Sequence, residues 1–156
     1  MPDRRRALPF LAISLVAISL LALALPPRSG AQPPDPFERL SRLSGTPTQV
    51  PARALAVIPE RHVDRPLRIV DTLAGVEPQF DDLARGAGLS PERAIQLRTL
   101  EANIPIFVAK NEATISTVLQ IELGARVEVQ GVLVERGGRY LFLASTVRAA
   151  PVRRER

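Results

Sequence analysis

The chain has 156 residues, with 21 Lys or Arg against 16 Asp or Glu, a formal charge of +5 and no cysteine. Without cysteine, neither a disulfide framework nor a lipid anchor on an N-terminal cysteine is possible. Twenty of the 21 basic residues are arginine and Lys110 is the one lysine, a pattern that reads as coding bias.

Residues 1–6 carry Arg4, Arg5 and Arg6, and "ALPFLAISLVAISLLALAL" follows without a charge. A basic start before an apolar run is the pattern of a secretory signal. Ser29 and Ala31 in "PPRSGAQPP" supply the small residues a signal peptidase reads, so cleavage is expected between Ala31 and Gln32. The rival is an uncleaved membrane anchor, because the run approaches the ~20 residues that cross a bilayer. Either way the remaining chain is exported, to the periplasm or the exterior, or held outward-facing at the membrane. Ala7-Leu8-Pro9 fits a twin-arginine signal poorly. Removal of residues 1–31 takes away Arg4, Arg5, Arg6, Arg28 and Asp3, which leaves 17 basic and 15 acidic side chains. The tail 153–156 carries that surplus of two, so the body is near neutral and its basicity is a weak argument for nucleic acid.

Residues 32–52, rich in proline and polar side chains, read as a linker in which Phe37, Leu40 and Leu43 have the spacing of one helix face. One domain is expected over 53–149, followed by a basic tail at 150–156. "PLRIVDTLAGV", "AIQLRTLE" and "IPIFVAK" read as strands by β-branched content and partial alternation. "KNEATISTVLQIELG" reads as a helix, with Asn111 as cap, Glu112 in the first turn and Gly124 at the stop. Its apolar stripe is Ile115, Val118, Leu119 and Leu123. Asp81-Asp82 and Ser90-Pro91-Glu92 read as two further helix starts.

"ARVEVQGVLVERGGRYLFLASTVR" at 125–148 reads as a β-hairpin, because Gly137 and Gly138 both tolerate the positive φ of a primed two-residue turn. That turn sets Arg136 opposite Arg139, Val134 opposite Leu141 and Val132 opposite Leu143. Val127 and Val129 are out of phase with Val132 and Val134 under a strict period of two. A β-bulge at Gly131 would put all four valines inward and bend the strand as a small barrel requires. The alternative is that Gly131 separates two short strands. Leu133, Tyr140 and Phe142 lie on the opposite face, as a second packed layer or an exposed patch.

The order is strand, strand, strand, helix, strand, strand. This arrangement, together with "IPIFVAKNEATISTVLQIELGARVEVQGVLVERGGRYLFLASTV", resembles the oligonucleotide/oligosaccharide-binding (OB) fold over about residues 65–148. The resemblance implies a mainly β domain, a five-stranded Greek-key barrel with one helix between its third and fourth strands. It also implies a ligand face flanked by the first and last inter-strand loops.

Nothing in the chain supports an enzyme. His62 is the one histidine, too little for a triad or a zinc site, and it reads as a turn residue. Asp81, Asp82 and Glu77 lack the alternating ligands and glycine of a calcium loop. No cofactor or metal is expected. The candidate binding surface is Phe80, Arg68, Arg98, Arg139, Tyr140 and Phe142. Two functions remain: an exported module that contacts protein or an envelope polymer, or a single-stranded nucleic-acid binder. A membrane-anchored structural domain is the third possibility.

Overall fold

In a computed structural model of the chain, residues 35–38, 40 and 45–151 are described, all within one compact unit, Pro33–Arg156. The expectations for residues 1–31 and for the end of the tail lie outside the described residues.

In chain order the elements are β1 (Thr48–Gln49), α1 (Ala52–Val57), a 3-10 turn (Pro59–His62), β2 (Pro66–Glu77) and α2 (Asp82–Gly86). Then come β3 (Ala94–Thr99), β4 (Ile106–Ala109), α3 (Glu112–Gln120), β5 (Arg126–Arg136) and β6 (Arg139–Ala149). Antiparallel pairs join β2 to β3, β3 to β4 and β5 to β6; β4 runs parallel to β6; and β5 returns to pair with β2. Five strands therefore close on themselves, with α3 between the third and fourth of them. That closed mixed barrel is the OB topology, and closure leaves no long unpaired edge.

The hairpin has its expected register. Gly137 and Gly138 take φ of 56° and 75°, and Arg136 pairs Arg139, Val134 pairs Leu141 and Val132 pairs Leu143. The bulge, however, has a different form. Between Gln130 and Gly131 the partner jumps from Thr146 to Ala144, so the extra residue is Ser145 on β6. β5 keeps its alternation, and the four valines do not share a face. Val127 and Val129 join Leu133 and Phe142 in the barrel interior, whereas Val132 and Val134 join Leu141 and Leu143 in an outer cluster. The apparent phase conflict arises because β5 past Gly131 is covered on both sides, so Val132 and Val134 of its outer face are apolar as well. A second shift, at Ala74 between Leu73 and Gly75, bends β2.

Gly131 is required for a different reason than a kink of its own strand. A Cβ there would collide with the Leu143 carbonyl oxygen and stand 2.7 Å from Ala144 Cα. Both are backbone atoms, so no side-chain adjustment relieves the overlap.

On β2 the odd positions Leu67, Ile69, Asp71 and Leu73 all face inward and are buried. Asp71 holds its place because its carboxylate accepts hydrogen bonds from the backbone N–H groups of Thr72 (2.6 Å), Glu101 (3.1 Å) and Ala102 (2.9 Å). Charged acceptors bonded to backbone donors offset the cost of burial. The bonds draw the loop between β3 and β4 across the barrel, where Ala102 and Ile104 fill the interior. Asn103 turns that loop with φ of 50°, a conformation asparagine tolerates.

Part of the expected linker is structured. Thr48–Gln49 extend the sheet parallel to β2, and Leu55 of α1, fully buried, enters the interior cluster. Helix α3 begins as expected, with Asn111 Oδ1 accepting from Thr114 N at 2.9 Å. It ends at Gln120, short of the expected Leu123. The chain is claimed by the sheet instead: Gly124 N donates to Leu73 O (2.9 Å) and Leu73 N to Ala125 O (3.0 Å). Of the expected stripe, Val118 is buried, while Leu119 and Leu123 are 81% and 69% exposed. Ser90-Pro91-Glu92 starts a turn, closed by Ala94 N donating to Ser90 O, and no helix.

Replacing Gly131 with alanine is expected to destabilise the domain by about 2–4 kcal/mol, as overpacking against unyielding backbone does. Thermal unfolding followed by circular dichroism should show a fall of roughly 10 °C or more. A midpoint unchanged by the substitution would refute the close approach.

Candidate functional site

The first inter-strand loop, residues 78–93, folds back onto the barrel. Asp81 caps α2, its Oδ1 accepting from Ala84 N at 2.9 Å, and its Oδ2 accepts from Arg139 Nη2 at 2.8 Å. One carboxylate thus starts the helix and ties the loop to the final hairpin. Its pKa is lowered, first by the Ala84 N–H and then, against some desolvation, by Arg139. Phe80 sets its ring against Phe107 of β4 at 5.1 Å and 69°, an edge-on contact. Together with Ala84 and Leu89 it covers Val132, Val134, Leu141 and Leu143. Phe37 and Leu40 pack onto the same cluster, and Asp35 pairs with Arg93 at 2.8 Å. The outer face of β4, β5 and β6 is therefore occupied by the chain itself. The last loop is only Gly137 and Gly138 and builds no wall.

The six candidate residues do not converge. Phe142 lies in the barrel interior and Phe80 in the outer cluster, 0% and 4% exposed, so neither belongs to a surface. Tyr140 is half-buried, and desolvation raises its pKa. Arg98 pairs with Glu77 at 2.9 Å and Arg139 with Asp81; Arg68 donates to Gln49 Oε1 at 3.0 Å. Arg148 pairs at 2.6 Å with Glu128, which is 5% exposed and whose pKa is lowered first by the Gln130 amide and then by Arg148. Among the described residues no aromatic side chain is exposed.

Two concave places lie among the described residues. The larger is an open groove of about 530 Å³ where the end of β2 and the start of β3 meet α3. Val76, Ile95, Ile115, Val118, Leu119 and Ile121 line it, Pro78, Phe80 and Pro91 wall it, and Lys110 and Glu77 are its charged members. Leu119 and Val76, 81% and 47% exposed, are large apolar side chains open to water. The smaller cleft, about 320 Å³, lies at the other end of the barrel among Leu55, Asn103, Ile104, Arg139 and Tyr140. Among the described residues no group of three His, Cys, Asp or Glu is placed to hold a metal, and His62 ends the 3-10 turn. Sequence reasoning missed the groove. Its one signal is that Leu119, a large apolar side chain beside Val118 in a short helix, has no buried position to occupy.

Asp81→Ala is expected to cost about 1 kcal/mol at neutral pH through loss of the cap. Because the folded pKa lies below the ordinary 3.8, this contribution is fully present above that value and fades as the pH falls through the folded one. Thermal melts of both forms at neutral pH and well below 3.8 should therefore differ, then converge.

No family model and no curated protein matches the chain. Among solved structures it is similar to a replication protein A heterotrimer bound to single-stranded DNA, at 11% identity and TM-score 0.38, over 55% of this chain and 57% of that one. It is also similar to the Stn1–Ten1 complex of S. pombe, at 10% identity and TM-score 0.40, with the same two coverages of 55% and 57%. A third is the asparaginyl-tRNA synthetase of Entamoeba histolytica in complex with asparaginyl-adenylate, at 10% identity and TM-score 0.46 over 70% of this chain. The chain spans 57% of the length of the first two and 26% of the third. Likenesses this loose say nothing of ligand or activity; strand order, closure and helix placement are what make this domain an OB fold.

Proposed function

We propose that the chain is an exported, non-enzymatic OB-fold binding module that acts through contacts with protein or an envelope polymer. The observation that carries this reading is the burial or half-burial of every described aromatic side chain. Single strands bind OB surfaces by stacking bases on exposed rings, worth about 1–3 kcal/mol each, over a basic groove. Here the rings serve the two cores. Five of the cations are engaged as well: Arg85, Arg93, Arg98, Arg139 and Arg148 each pair with a carboxylate. Export follows from the basic start and apolar run of residues 1–25.

The module should bind a mixed-sequence single-stranded DNA weakly at both low and high salt. Tight binding that falls steeply as salt rises, the signature of counterion release, would overturn the reading in favour of nucleic acid. N-terminal sequencing of the protein from its host should start at Gln32. An intact Met1 would mean that the domain is anchored by its first segment.

A further inference from the structure

We infer that the groove beside α3 binds a single acyl chain that ends in an anionic head, with Lys110 receiving the head. The inference rests on the binding-module reading and names the chemistry of one ligand. Its size, about 530 Å³, falls within the ~300–1,000 Å³ of clefts that take small molecules. Of its lining, the branched side chains Ile95, Val118 and Ile121 are buried or half-buried, and Val76 and Leu119 are exposed.

The lining favours an acyl chain over a peptide strand. An extended peptide brings an N–H and a C=O at every residue, and each needs a partner once desolvated. A strand is accommodated where a sheet edge is free; here the end of β2 pairs with β3, β3 pairs with β4, and the other edge of β2 lacks a partner strand only over residues 74–77, a stretch shorter than an ordinary strand and interrupted by the shift at Ala74. The groove therefore presents side chains and no long open ladder. A hydrocarbon tail makes no such demand.

Lys110 supplies the complementary charge. Its Nζ donates one hydrogen bond, to Pro91 O at 2.8 Å, which leaves further donors of the ammonium for a head group. The nearby carboxylate of Glu92 is held mainly by Ser90 and by its own backbone, with Lys110 as the smallest influence on it. The other charge of the groove, Glu77, is already paired with Arg98. A carboxylate or phosphate head therefore meets one available cation at the edge of an apolar trough.

The test is calorimetric titration of the protein isolated from its host with monomeric laurate, below the concentration at which laurate forms micelles. Saturable binding of one laurate per chain is expected. Leu119→Asp, at a position already open to water, should weaken it at least about tenfold by placing a charge beside the tail. Lys110→Gln should weaken laurate severalfold and leave dodecanol binding unchanged. Should Leu119→Asp fail to fold, as judged by thermal melting, Val76→Thr serves in its place with the same expected direction. Absence of saturable binding, or binding unaltered by the groove variants, overturns the inference. So does binding to anionic vesicles or to an apolar helical peptide with none to laurate. Those last outcomes leave the binding-module reading standing, since that reading falls only to tight, salt-sensitive DNA binding or to an enzymatic activity.

Discussion

Closure of the barrel depends on how closely the backbone of β6 passes over Gly131. On the N-terminal side of Ser145, β6 lies between β4 and β5; beyond it, β6 follows β5 alone. One strand must therefore serve two directions, and the extra residue provides the bend. Phe142 and Ala144 point inward before the bulge, and Val147 does so after it. The inner set changes from even to odd positions, which a regular strand cannot do. The partner strand accommodates the bend by having no side chain at the crossing.

With the wall closed, the two ends must be filled. At one end Leu55 of α1 enters beside the loop that carries Ala102 and Ile104; at the other, Val118 of α3 does the same. The first of these plugs is held by Asp71, whose carboxylate gathers three backbone donors from two separate stretches of chain. Apolar filling and one buried charge are thus coupled, since the charge is tolerable only with the loop in place.

The same arrangement limits what the surface can do. The outer face of β4, β5 and β6 carries a second core, built from the first inter-strand loop and from Phe37 and Leu40. Rings that an OB domain could present to a base are consumed there, Phe80 against Phe107 above all. One place that stays open is the seam where α3 meets the ends of β2 and β3, because α3 is short and turns Ile115, Val118 and the adjoining Ile121 toward the barrel. Leu119 is left at the margin.

Local chemistry was legible from the residues alone. Two glycines specified the turn and with it every hairpin pair; Asn111 and Asp81 marked the starts of two helices; and β-branched runs located all five barrel strands. These features depend on neighbours in the chain, so they can be read from spacing. The six candidate binding residues were the least legible, because whether Phe80 or Arg139 faces water depends on where the first loop folds. The valines of β5 misled for a related reason: alternation tells which residues share a face, and only a second layer of packing decides that both faces are covered. The position of the bulge, the short end of α3 and the groove beside it were likewise settled by contacts between residues far apart in sequence. A local pattern cannot encode such contacts, since each depends on the full barrel having closed.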